Sequence, residues 1–123
     1  PLYPLDASTN RSMEFRIAEM VREKLLLALR QEVPYGLAVE VLMLEQKPGV
    51  VLADVAIWAD RDSHKGMVVG KGGAMIKEVG TAARLELESI FGDKFYLETH
   101  VKVKSNWADS ARALQQFGFE TEA

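Results

Sequence analysis

Residues 68–77 read VVGKGGAMIK and place three glycines within four positions. The stretch also holds two lysines and no acidic residue, and apolar residues stand on both sides of the glycines. Glycine loses more conformational freedom on folding than any other residue, so it is kept where the chain needs unusual dihedral angles or a close approach to another molecule. This stretch is therefore the first place to look for a ligand, and the elements on either side of it decide the fold.

Two common phosphate-binding patterns do not fit these glycines. The P-loop has Gly, four residues, and then Gly-Lys-Ser/Thr, whereas three residues separate Gly66 from Gly70, and Gly72 follows Lys71. The dinucleotide-binding fingerprint has Gly-x-Gly-x-x-Gly or Ala, whereas Met75 stands at its last position. Both kinds of nucleotide site are excluded for this stretch.

A Gly-x-x-Gly loop between two helices does fit residues 70–73. Without Cβ atoms, Gly70, Gly72 and Gly73 let a sugar-phosphate backbone come against the main chain. The positive N-terminal end of the following helix faces the phosphates, and Lys71 and Lys77 add charge. The alternative is a flexible turn, in which the glycines only end one helix and begin the next. The acid-free flanks favour the nucleic-acid site, of the kind with which KH domains clamp about four single-stranded nucleotides.

The hydrophobic pattern predicts the elements around this loop. Residues 1–10 contain two prolines and predict a loop, and Pro48 and Gly49 suit the two central positions of a hairpin turn. The predicted elements are a helix over 12–30, strands over 37–46 and 50–60, a short helix before the glycines, a helix over 74–91 capped by Gly92, a strand over 95–104 and a short closing helix after residue 105. This order predicts an α+β sandwich with about three strands and helices on one face.

Two of these elements carry an apolar face that predicts the core. Every second residue of the second strand is apolar, namely Val51, Ala53, Val55, Ile57 and Ala59. The helix after the glycines has an apolar stripe at helical spacing, namely Ile76, Val79, Ala83, Leu87 and Ile90. On the last strand, Lys102 and Lys104 share a polar face. They either extend a basic surface or form the solvated face of an edge strand.

Composition narrows the classes of function. The 123 residues suit one compact domain, and the absence of cysteine excludes disulfides, a zinc ribbon and a thiol nucleophile and is compatible with a reducing cytoplasm. The net charge of −3 argues against nonspecific coating of nucleic acid. Positive charge is nevertheless local, because residues 64–77 include Lys65, Lys71 and Lys77 and no acid.

Other chemistry finds little support in the sequence. Neither His64 nor His100 has a carboxylate cluster at ligand spacing, so no metal site is predicted. No local signature suggests a Ser-His-Asp arrangement, and we predict that this chain is not an enzyme. Trp107 and Phe117 either offer stacking surfaces or anchor the closing helix to the body.

With these residues in view, the chain resembles the C-terminal KH domain of the Era family of bacterial ribosome-associated GTPases. The resemblance covers nearly the whole sequence, and its most specific part is the ending. It rests on RSMEF (11–15), VREKL (21–25), EVPYGLAVEV (32–41), MVVGKGGAMIKEVGTAAR (67–84) and HVKVKSNWADSARALQQFGF (100–119).

The resemblance implies a type II KH fold, α-β-β-α-α-β, with a mixed three-stranded sheet and a short C-terminal helix. It implies a linker over 1–11 from a missing N-terminal GTPase domain, the KH domain over 12–104 and a tail helix over 105–123. It also implies binding to the single-stranded 3′ end of 16S rRNA during assembly of the 30S subunit. GTP and Mg²⁺ would belong only to the missing domain, and this chain would take no cofactor and no small-molecule substrate. The family further implies a cytoplasmic location and peripheral membrane association of the full-length protein.

By matching motif positions, the resemblance implies an RNA-binding site with three parts. The clamp would be Gly70, Lys71, Gly72 and Gly73. The groove floor would be Val69, Ile76 and the inner part of the second strand. Lys77 would meet the RNA backbone, and Lys65, Lys102 and Lys104 would be rim contacts.

One departure concerns the loop lysine. A polar residue commonly precedes a final Lys-Gly in the family's loop, whereas the lysine here takes the first variable position, so it would contact a different phosphate. The acidic net charge keeps a second hypothesis open, in which the chain is a KH-shaped protein-interaction domain that docks on a GTPase or a ribosomal protein.

Overall fold

The computed structural model describes residues 2–30 and 33–104. The elements are α1 (Leu2–Leu29), β1 (Ala38–Lys47), β2 (Val50–Ala59), α2 (Asp62–Val69), α3 (Ala74–Phe91) and β3 (Lys94–Val103). The α+β class and the α-β-β-α-α-β order are confirmed. The closing helix predicted after residue 105 lies outside the described residues. In the described part of the chain, no helix is both long and apolar enough to cross a membrane.

Helix α1 begins earlier than the sequence predicts. It starts at Leu2, so the loop predicted for residues 1–10 is wrong for residues 2–10. The reason is the place of Pro4 in the first turn, where a backbone N–H has no partner within the helix and its loss costs little. At the other end Arg30 adopts a left-handed conformation (φ 57°), and its N–H donates to the Leu26 carbonyl at 2.9 Å.

The three strands form one mixed sheet in the order β1-β2-β3. Strands β1 and β2 are antiparallel and joined by the predicted turn, in which Gly49 has the positive φ (77°) that a type II turn requires. Strands β2 and β3 are parallel and pair from Val50 with Lys94 to Ala59 with Val103. Strand β2 is therefore the centre of the sheet, and β3 is an edge strand.

The core lies between the sheet and the helices α1 and α3. All five alternate residues of β2 that the pattern assigned to the core are buried. All of them except Ala59 pack with residues of three other elements, namely Ile17, Val21 and Leu25 of α1, Val79, Ala83 and Leu87 of α3, and Phe95 of β3. The prediction for Ile90 is wrong, because its side chain is 47% exposed. Phe91 takes that position, with its ring centroid 5.9 Å from that of Phe95.

A carboxylate fixes the end of α3 to the start of β3. Glu88 accepts a hydrogen bond from the Phe95 N–H at 2.9 Å and another from Arg84 Nη1 at 3.2 Å. The Phe95 hydrogen bond, together with the nearby positive charges, outweighs burial and holds the pKa of Glu88 below its ordinary value. This contact sets where β3 begins relative to α3.

Two leucines of α3 allow a direct test of the packing. We expect Leu87→Ala to lower the free energy of unfolding by about 2–5 kcal/mol, because Leu87 is fully buried and its removal leaves a cavity. Leu85→Ala is the matched control, since Leu85 lies on the same helix and is 53% exposed. We expect the free energy of unfolding of Leu85→Ala to stay within about 0.5 kcal/mol of that of the parent chain. Urea unfolding measures the free energy of unfolding of both variants. Equal losses for Leu87→Ala and Leu85→Ala would contradict this packing.

Candidate nucleic-acid interface

The glycine stretch forms a tight corner between α2 and α3. Helix α2 ends at Val69, and the Gly70 N–H donates to the Gly66 carbonyl at 2.9 Å. The Gly73 N–H then donates to the Gly70 carbonyl at 3.1 Å, which closes one turn of 3₁₀-helix before α3 starts at Ala74. The loop is therefore a defined turn with its own hydrogen bonds.

The three loop glycines are needed for different reasons. A Cβ on Gly70 would lie 2.6 Å from the Met75 Cβ and 2.8 Å from the Met75 nitrogen, so only glycine fits there. Gly72 and Gly73 have positive φ values of 63° and 80°, and a Cβ on either would meet nothing within 4 Å. Gly70 thus packs the loop against α3, while Gly72 and Gly73 present bare backbone to open space.

Positive charge surrounds this bare backbone. No acidic side chain lies in the first turn of α3, and no side chain caps its N-terminus. The first turn of a helix carries the positive end of its dipole. Lys71 and Lys77 are both exposed beside it. On α2, Lys65 is exposed and lies four residues before Val69, which places both on one face of that helix.

The apolar floor beside the loop differs from the prediction in one strand. Val69 and Ile76 are half-buried as expected, whereas Val68 points into the core. The inner residues of β2, however, are at most 2% exposed, because the helices cover them, so β2 cannot line an open groove. The second-strand prediction is therefore wrong.

Edge strand β3 is the strand whose helix-facing side stays partly open. Its inner residues Leu97, Thr99 and Val101 are half-buried, and both α2 and α3 contact this strand. Helix α3 comes close because Gly80 has no side chain: a Cβ there would lie 3.7 Å from Thr99. In the sequence, Leu97, Thr99 and Val101 alternate with the polar residues of the last strand. Its place beside the loop follows from the parallel pairing, which no local pattern encodes.

The predicted rim lysines do not all gather at the loop. Lys102 lies on the opposite face of the sheet, with its Nζ 5.6 Å from the centroid of the Trp58 ring. Lys104 follows directly after β3 and is exposed; its N–H donates to the Ala59 carbonyl at 2.9 Å. The structure thus favours the edge-strand interpretation for Lys102, and brings Lys65, Lys71 and Lys77 to the two helices of the loop.

A half-buried ion pair that the sequence analysis did not single out anchors the start of α2. His64 Nδ1 lies 2.8 Å from Asp60 Oδ1, and Arg61 Nε lies 3.4 Å from the same oxygen. Burial raises the pKa of Asp60, but the His64 hydrogen bond and the Arg61 charge outweigh it and hold that pKa below its ordinary value. This pair fixes α2, and with it the glycine loop, to the end of β2.

Comparison with known proteins places this geometry among related chains. The sequence profile of the KH domain matches residues 32–108. GTPase Era of Coxiella burnetii (strain Dugway 5J108-111) is 45% identical over 96% of this chain, and GTPase Era of Stenotrophomonas maltophilia (strain K279a) is 40% identical over 98% of it. The chain spans about two fifths of the length of these curated relatives.

Two solved structures share the fold. Era of Aquifex aeolicus bound to GDP.AlF4- has a TM-score of 0.71 and 38% identity, over 77% of this chain and 33% of that one. Era in complex with MgGDPNP and nucleotides 1506–1542 of 16S ribosomal RNA has a TM-score of 0.68 and 39% identity, over 74% of this chain and 31% of that one.

The two glycines at the end of α2 test the loop geometry. We expect Gly70→Ala to lower the free energy of unfolding by about 1–3 kcal/mol, because its φ of 75° and ψ of 174° suit only glycine and the new Cβ would overlap Met75. Gly66→Ala is the control. Gly66 lies inside α2 with open space around it, so alanine there should stabilise by about 0.5–1 kcal/mol. Urea unfolding measures the change in the free energy of unfolding for both variants. Changes of opposite sign support this loop geometry, and a Gly70→Ala chain as stable as the parent contradicts it.

Proposed function

The chain belongs to the KH domain family, and from this membership we propose that it binds single-stranded RNA through residues 70–73 as the RNA-binding module of an Era-type GTPase. The observation that carries the proposal is the bare backbone of Gly72 and Gly73 at the uncapped, acid-free start of α3. Such an arrangement suits a phosphate because it offers the positive end of a helix dipole and a close approach to the main chain without a side chain in the way.

The proposed RNA is the 3′ end of 16S rRNA in the 30S subunit. Support comes from the similar Era structure that holds nucleotides 1506–1542 of 16S ribosomal RNA. At 39% identity and a TM-score of 0.68, the likeness extends to sequence as well as fold. We therefore infer the same region of RNA for this chain.

In the proposed groove, charged groups bind the phosphates and apolar side chains contact the bases. Phosphates would lie against Gly72 and Gly73, with Lys71 and Lys77 supplying charge-assisted contacts. Bases would lie against half-buried Val69 and Ile76 and reach towards β3 at Thr99. Unstacked bases are needed for such contacts, so the site favours single strands over duplexes.

We assign GTP and Mg²⁺ to the part of the Era relatives that this chain does not span, and no catalytic role to the chain itself. The division into a linker, a KH domain over 12–104 and a tail over 105–123 remains a proposal, as do the cytoplasmic location and the peripheral membrane association of a full-length protein. Nucleotide-dependent regulation would then act on this module from outside.

Charge reversal in the loop tests the proposal. We expect Lys71→Asp combined with Gly72→Asp to weaken binding of a short single-stranded RNA from the 16S 3′ end at least tenfold, or about 1.4 kcal/mol. Two carboxylates would repel the phosphates, and aspartate tolerates the left-handed backbone at position 72, so the fold should survive. Fluorescence anisotropy measures affinity at several salt concentrations. The log–log salt slope should become shallower by about 0.7 for each phosphate that the variant no longer neutralises.

Lys47→Asp is the matched control, because Lys47 is an exposed lysine at the hairpin turn, away from the loop. We expect Lys47→Asp to bind the RNA with an affinity within about twofold of the parent chain's, since charges farther apart than roughly 8 Å are screened at physiological salt. Equal affinities for the parent and the loop variant would refute the proposal. If a protein partner stayed bound after ribonuclease treatment and the loop change, the KH-shaped interaction domain would be the better account.

A further inference from the structure

The face of the sheet opposite α1 and α3 brings together three side chains that are separated in sequence. Asp54 of β2 pairs directly with Glu98 of β3, and Ala56 pairs with His100. Alternation along the strands puts Asp54, Glu98 and His100 on the same outer face.

The ligand atoms of these three residues form a compact triangle. One carboxylate oxygen of Asp54, one of Glu98 and one imidazole nitrogen of His100 all lie within 4.8 Å of one another. In a tetrahedral zinc site with bonds of about 2.0–2.2 Å, neighbouring ligand atoms stand about 3.4 Å apart. Side-chain rotations that move each ligand atom by about 1 Å would bring the three atoms to zinc-binding distances. Such rotations are available because Glu98 is exposed and Asp54 and His100 are only half-buried.

The charges at this place lack a counter-ion in the described part of the chain. Two carboxylates stand on directly paired positions, an arrangement that destabilises a sheet. Neither Asp54 nor Glu98 has an ion pair with a described lysine, arginine or histidine. The nearby cations have other partners: Arg84 pairs with Glu88, Lys94 lies over the Tyr96 ring, and Lys102 lies over the Trp58 ring.

From this geometry we propose that Asp54, Glu98 and His100 bind one divalent transition-metal ion, of the class of Zn²⁺, on the outer face of the sheet. The imidazole selects against Mg²⁺ and Ca²⁺, which prefer all-oxygen ligands, while the carboxylates neutralise the ion. Water completes the coordination, because Glu98 is exposed and Asp54 and His100 are only half-buried.

The ion would connect β2 to β3 and so support the edge strand whose other face forms the floor beside the glycine loop. The site is independent of the proposed RNA binding, because it lies on the opposite face of the sheet. It also departs from the sequence-based prediction of no metal site. That prediction considered local spacing around each histidine, whereas Asp54 reaches His100 only through the strand register.

Zinc titration of the untagged chain, followed by calorimetry without RNA, tests the proposal. We expect one equivalent to bind, and Glu98→Gln and His100→Gln each to weaken binding by roughly 10–100-fold, since even changes around a metal's ligands cost that much. Two controls should bind zinc as the parent does. Glu45→Gln removes an exposed carboxylate from the same sheet face, and His64→Gln removes the other histidine.

Thermal melting gives a second readout that does not depend on titration heats. In EDTA, Glu98→Gln should melt about 1–5 °C above the parent, because it removes one of two opposed carboxylates. In excess zinc the melting temperature of the parent chain should rise, and that of Glu98→Gln should not. The proposal is overturned if millimolar zinc neither binds nor shifts the parent's melting temperature. It is equally overturned if His64→Gln abolishes binding while Glu98→Gln and His100→Gln keep it.

Discussion

The parallel pairing of β2 with β3 is the constraint on which the two faces of this protein depend. Parallel neighbours cannot be joined by a tight turn and need a crossover connection. Here the crossover consists of α2, the glycine loop and α3, so the pairing holds these helices against one face of the sheet. It also leaves β3 at the edge, where its inner face is only half covered. The loop is the corner of the crossover, and the proposed RNA site lies between that corner and the edge strand.

Rigid supports on both sides let the loop keep its unusual backbone. The positive φ values at residues 70, 72 and 73 suit glycine, but glycine loses more backbone freedom on folding than any other residue, and that loss opposes folding. Burial of the inner face of β2 and of the stripe of α3 offsets that loss, and the Asp60–His64 pair holds the start of α2. The proposed binding of RNA would then require little ordering of the loop, which favours affinity through preorganisation. The acidic net charge keeps nonspecific attraction low and leaves positive charge concentrated where the loop is.

Local patterns predicted much of the fold and the centre of the candidate site. The bounds of α3 follow from its apolar period and the cap at Gly92, and the buried face of β2 follows from strict alternation. The residues of the loop itself were also predictable, because glycine reports a local backbone requirement. The failures share a non-local cause. The floor at β3 and the closeness of Asp54 to His100 both depend on strand register, and the exposure of Ile90 depends on how Phe91 meets Phe95. The early start of α1 is the exception, since it concerns the tolerance of a first turn for Pro4.

The central claim is that single-stranded RNA lies between the glycine loop and the edge strand β3. Amide chemical shifts of the ¹⁵N-labelled chain, followed during titration with a short single strand from the 16S 3′ end, test it most directly. The account predicts that the largest changes fall on residues 69–77 and on β3 from residue 97 to residue 103, with the buried strand β2 and helix α1 little affected. Largest changes on α1 or on the β1–β2 hairpin, or no changes at all, would contradict it.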